Sequence, residues 1–157
     1  GFFTNVANNL KQNGIFFATF MDGNIIDNMF KTKNTTTLKG IKNLERDTEV
    51  ITWAITKNYV DNDEKYGKQI GVFIENTQKI IPEYLVDLDL LIEKAAEYNL
   101  EFLETNTFEK DFNDIKNKID EKNHQLNRLE IDIQELDKDS VQKQFSFLNR
   151  YIIFRKK

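Results

Sequence analysis

The spacing of apolar positions changes several times along the chain, and each change predicts an element. Phe3, Val6, Ala7 and Leu10 recur at helical spacing and Asn13-Gly14 supplies a stop, so residues 3 to 12 read as a short helix. Ile15 to Phe20 (IFFATF) is an unbroken apolar run between Gly14 and Asp22-Gly23, which predicts a strand buried on both faces. Ile25, Ile26, Met29 and Phe30 resume helical spacing. The polar, turn-rich stretch from Thr32 predicts a mobile loop over residues 32 to 46. Val50 to Tyr59 and Ile70 to Glu75 are rich in β-branched and aromatic residues and read as strands separated by the polar break Asp61 to Lys65.

Pro82 suits the first position of a helix, where its missing N–H is not needed, so a helix is expected to begin there. Leu85, Leu88, Leu91, Ile92 and Ala95 would form its buried stripe up to Tyr98, with Asn99 as a left-handed stop. Leu100 to Thr105 alternates as the next strand. From Phe112 to Leu136 apolar residues keep a/d spacing through a charged segment, with Lys122 interrupting one position. This predicts a peripheral amphipathic helix or helix pair, inserted over residues 112 to 137. Asp137 to Ser140 should cap a further short helix, and Tyr151 to Phe154 reads as a last strand. A helix, a glycine turn and a buried strand in succession make the fold class α/β.

Composition narrows the picture without naming a reaction. A chain of 157 residues with 39% apolar residues and 13 Phe supports one core, hence one domain or part of one. The formal net charge of -4 argues against broad electrostatic adhesion to nucleic acid, so any RNA contact must be local or supplied by residues outside this chain. With no cysteine, disulfides, thiol catalysis and zinc-thiolate sites are excluded, and the lone His124 excludes a multi-histidine metal site. No apolar run approaches the roughly 20 residues of a membrane span. No Gly-rich nucleotide fingerprint is present.

Glu83 in IPEYLV is the principal candidate for ligand contact. Its bland reading is an acid in a first helical turn, complementing the helix dipole. Its functional reading is a rigid carboxylate accepting paired hydrogen bonds from N1–H and the exocyclic amine of guanine. Phe73, Tyr84 and Tyr151 offer flat faces on which a base could stack, although strand aromatics are commonly core. Trp53, in an alternating strand, reads as core.

Several segments, in order, resemble the second half of the mRNA cap (guanine-N7) methyltransferase domain, in the form found in the capping enzymes of large DNA viruses. LKQNGIFFATFMDG, residues 10 to 23, resembles that family's strand-and-turn, with Asn13 and Ala18 standing where the family has glycine. ITWAITKNY and YGKQIGVFIENTQKIIPEYLV resemble its paired strands and its P-E-Y-L-V segment, and FSFLNRYIIFRKK its C-terminal strand.

The resemblance implies the C-terminal half of a Rossmann-like (class I) S-adenosylmethionine-dependent methyltransferase fold, from the fifth strand onward, incomplete without upstream strands. Its donor motif is absent here, so S-adenosylmethionine is expected to be bound mainly by residues outside this chain, and the isolated segment to be inactive. The family's guanine-recognising Glu falls on Glu83, with an aromatic facing the cap pocket at Phe73. Its cap-contacting Tyr falls near Asn149 to Tyr151, strict register giving Asn149; Tyr84 joins this set as a neighbouring aromatic. No catalytic residue and no metal are implied. The expected partners are the capped 5′ end of mRNA, the upstream part of the same polypeptide and a stimulatory subunit, with no membrane, in host cytoplasm or virion. A catalytically silent methyltransferase-like subunit that scaffolds a capping enzyme is the alternative.

Overall fold

The computed structural model describes residues 1–44, 48–62, 64–120 and 127–157, with Asp120 by its backbone alone. Its elements are α1 (Phe2–Asn9), β1 (Ile15–Met21), α2 (Gly23–Thr32), β2 (Thr37–Leu44), β3 (Thr48–Lys57), β4 (Gln69–Ile74), β5 (Lys79–Tyr84), α3 (Leu88–Ala96), β6 (Leu100–Thr107), α4 (Phe108–Asp120), α5 (Arg128–Lys138), α6 (Ser140–Ser146) and β7 (Asn149–Lys156). They form two antiparallel sheets, one ordered β1-β7-β6 and the other β2-β3-β4-β5.

Each sheet has its own core. Ile152 and Phe154 of β7 lie fully buried with Leu100 and Ala95, covered by Phe3 and Val6 of α1, by Leu10 at its C-terminal end and by Leu91 and Ile92 of α3. The four-stranded sheet buries Leu38, Trp53, Ile55, Ile70 and Val72 against Ile26 and Phe30 of α2. Trp53 is core as expected, and its indole N–H donates to the Val141 carbonyl at 2.9 Å, tying β3 to α6. Gly40 is required beside it, because a Cβ there would sit 2.1 Å from the indole nitrogen. Asn13 and Asn99 take up left-handed backbone, with φ of 64° and 58°, in the turns that follow α1 and α3; α1 itself ends earlier than expected, with Leu10 as an extended C-cap.

Three expectations are corrected. The run Ile15 to Phe20 is a strand, but among the described residues β1 is an edge strand paired only with β7, and its alternate residues Ile15 and Phe17 are 52% and 57% exposed. Continuous apolar composition was read as two-sided burial, yet among the described residues only one face of β1 is covered. The predicted loop at 32 to 46 contains β2, which pairs with β3 from Thr37 to Leu44. Its exposed positions are polar apart from Leu44 and its sole deeply buried apolar side chain is Leu38, so pairing with a neighbour makes the strand and hydrophobic pattern does not. Residues 45 and 46 of that prediction lie outside the described residues. The third correction, at Pro82, concerns the candidate site.

The charged segment from Phe112 forms a helix pair, α4 and α5, the latter opened by a capping box between Asn127 and Glu130. Lys122, His124 and Leu126 lie outside the described residues. Asp139 caps α6 by accepting from the Gln142 N–H at 3.0 Å. Among the described residues no helix is long and apolar enough to cross a membrane.

Candidate functional site

The β4–β5 hairpin carries three of the five candidates. Sequence reasoning put Pro82 and Glu83 at a helix start; both lie instead in β5, and the helix begins after Asp87, whose carboxylate accepts from the Leu90 N–H at 2.9 Å. Strand geometry accounts for the proline. The Leu85 N–H donates to the Lys68 carbonyl at 2.9 Å, which fixes which β5 residues exchange bonds with β4. By that parity Glu83 and Ile81 bond to β4, whereas Ile80, Pro82 and Tyr84 turn their backbone to the free edge. Pro82 therefore costs the ladder no hydrogen bond.

Register also separates the candidates. Glu83 stands directly opposite Ile70, which is fully buried, so the carboxylate lies on the core-facing side of the sheet, exposed because β5 is its edge. Phe73 pairs with Ile80, and Tyr84 with Gln69, on the opposite face. Asn149 and Tyr151 belong to the other sheet, on β7. The Asn149 amide donates to the Phe145 and Ser146 carbonyls at 3.1 and 3.2 Å, closing the end of α6. Tyr151 stacks on Phe17 with ring centroids 5.8 Å apart and donates its hydroxyl to the Glu104 carboxylate. That hydrogen bond, with some burial and the charges of Asp111 and Glu104, pushes the phenol up to about 12. Among the described residues no hydrogen bond or ring contact joins any two of Glu83, Phe73, Tyr84, Asn149 and Tyr151.

Two polar groupings were not anticipated. Asp22, at the end of β1, accepts from the Asn24 and Ile25 N–H groups through Oδ1 at 2.9 and 3.2 Å, and from Arg150 Nε through Oδ2 at 2.7 Å. The same arginine donates to Thr105 Oγ1 at 3.3 Å, so one buried ion pair joins β1, α2, β6 and β7. An Asp just before a helical run signals an N-cap and was legible. Its partner, 128 positions away, was not.

The second grouping surrounds Asp27 of α2, which accepts from Lys31 Nζ at 2.7 Å and the Tyr59 hydroxyl at 2.6 Å, with Lys68 Nζ at 3.6 Å. Burial works to raise the Asp27 pKa, but the hydrogen bonds from Lys31 and Tyr59 and the Lys68 charge outweigh it and hold the carboxyl below 3.8. Burial and the Asp27 contact push the Tyr59 phenol up. A carboxyl whose folded pKa is depressed contributes stability above its unfolded pKa and loses it as pH falls through the folded value. Asp27→Asn is therefore expected to melt lower than the parent at pH 7, with the gap narrowing below about pH 4. A gap of equal size at pH 7 and pH 3 in paired melts would refute the assignment.

A sulfonium nucleoside donor needs an open, glycine-lined strand-to-helix turn. The turn between β1 and α2 does not fit: a Cβ on Gly23 would lie 2.7 Å from the Val86 carbonyl oxygen, so the chain itself fills that space. Among the described residues no group of three or more His, Cys, Asp or Glu could hold a metal ion.

The sequence matches the mRNA (guanine-N(7))-methyltransferase domain over residues 1–150. It is also similar to a protein of Acanthamoeba polyphaga mimivirus described as "Probable mRNA-capping enzyme", at 29% identity over an alignment of 180 positions. That alignment covers 99% of this chain but 15% of the viral protein, so the chain spans a small part of its relative's length.

Proposed function

Since the chain belongs to the mRNA (guanine-N7)-methyltransferase domain family, we propose that it forms the cap-guanine side of such an enzyme within a longer capping polypeptide. Glu83 carries the reading. It is an acid on an edge strand whose backbone is pinned to β4 at its own position, and its exposed carboxylate, on the core-facing side but beyond the sheet's covered part, is placed to meet a ligand at that edge. Its two oxygens match the two adjacent donors of guanine, N1–H and the exocyclic amine. Methylation at N7 uses a lone pair already free, with no proton to remove, so no general base is required and this segment contributes orientation of the base. S-adenosylmethionine, the donor the family implies, would be held by residues outside the described chain. The three-stranded order β1-β7-β6 leaves one edge of β1 unpaired among the described residues, where preceding strands of the same domain would add.

The experiment is competition by base-modified cap analogues against the complete polypeptide. An inosine cap lacks the exocyclic amine and offers Glu83 one donor in place of two, so it should bind about tenfold or more weakly than the guanosine cap. The difference should vanish in Glu83→Gln. Equal binding of the two caps to the parent protein would withdraw the guanine assignment.

A further inference from the structure

Tyr66 and Tyr84 are 60% and 61% exposed, and both line one cavity of about 370 Å³. Phe3 of α1 and Leu90 and Leu91 of α3 supply apolar walls, and Lys65, Lys94 and Asp87 are among the charged residues at its lining. The size falls within the range of small-ligand sites, and the lining joins flat π-faces to an apolar wall. Gly67, with φ of 72°, turns the chain sharply between Tyr66, which lines this cavity, and Lys68, which pairs with Asp27.

We propose that this cavity holds a nucleobase of the transcript, the one following the cap guanine, stacked against Tyr66 or Tyr84; the inference rests on the assignment of guanine to Glu83. Consecutive residues on a strand face opposite sides, so Glu83 and Tyr84 flank the free edge of β5. A chain whose guanine meets Glu83 on one side reaches the tyrosines by crossing that edge, and the crossing is open because no strand covers β5 there among the described residues. Capped RNA has the required form: a flexible triphosphate bridge, then a second base. The lysines are largely committed, Lys65 lying 3.8 Å from Asp87 and Lys94 2.6 Å from Glu97. Stacking rather than phosphate pairing then dominates, which makes the site tolerant of base identity and its salt dependence shallow.

The test compares two probes on the complete polypeptide: guanosine triphosphate, which presents guanine, ribose and phosphates but no second base, and a short capped oligoribonucleotide. Tyr66→Ser combined with Tyr84→Ser should weaken the oligonucleotide by about five- to a hundredfold and leave guanosine triphosphate unchanged. Tyr66→Phe with Tyr84→Phe, which keeps the stacking faces, should restore oligonucleotide binding. Equal loss for both probes would make the cavity part of the guanine pocket and overturn the proposal. Unchanged binding of both overturns it too, and a lowered melting temperature alongside would mark the cavity as a seat for protein. If Glu83→Gln leaves guanosine triphosphate binding intact while the serine variant still weakens the oligonucleotide, the guanine assignment fails and the RNA cavity stands.

Discussion

Arg150→Met is expected to destabilise the fold by about 3–5 kcal/mol, the characteristic cost of stripping one partner from a buried ion pair. The Asp22 side chain is 2% exposed and that of Arg150 18% exposed, so the carboxylate left behind could not be rescued by water. Its other oxygen would continue to cap α2, which holds the charge in place and prevents escape by rotation. For a domain of this size each kcal/mol lowers the melting temperature by about 2–4 °C. The double variant Asp22→Asn with Arg150→Met should recover much of the loss, because asparagine still caps a helix and leaves no buried charge. Chemical denaturation of the parent, both single variants and the double variant gives the answer. A cost below about 1 kcal/mol for Arg150→Met would mean that the pair is solvated and not part of what holds α2 to the three-stranded sheet.

Glu83→Gln is expected to weaken cap binding about thirty- to a thousandfold, equivalent to about 2–4 kcal/mol. Glutamine keeps the size of the side chain but removes its charge and replaces one acceptor oxygen with an amide donor. That donor would face a donor of the guanine, so a charge-assisted hydrogen bond is exchanged for a mismatch. Stability should change by less than about 0.5 kcal/mol, since the side chain is exposed and the backbone bonds of β5 are untouched. Because Glu83 lies in a strand, no helix-dipole contribution offsets the change. Cap-analogue affinity and melting temperature measured on one protein separate the outcomes. A clear fall in melting temperature with unchanged affinity would make Glu83 a structural residue.

Periodic segments were legible because each buries its own stripe: α1, β3, β4, β6 and β7 overlap the spans that residue spacing predicts, and α3 does so from Leu88 onward, its start at Pro82 being the exception. Left-handed turn residues at Asn13 and Asn99 and the cap at Asp139 were legible for a related reason, since one residue type satisfies a local backbone need. Family resemblance rested on the order of such segments, and the domain match over residues 1–150 agrees with it.

Pro82-Glu83 shows where local reasoning stops. A proline followed by an acid fits a first helical turn as well as an edge strand whose missing N–H points outward, and only the pairing with β4 selects the second. Sequence alone determined that a carboxylate and an aromatic stand side by side at 83 and 84. The strand, by sending successive side chains to opposite faces, decided that they do not share a pocket. In the same way Asp22 could be recognised as a helix cap from its neighbours, but its charge is neutralised by a residue on the last strand, brought there by sheet topology. Local patterns fix what depends on adjacent residues; contacts between distant ones are set by which strands lie together, and no spacing along the chain encodes that.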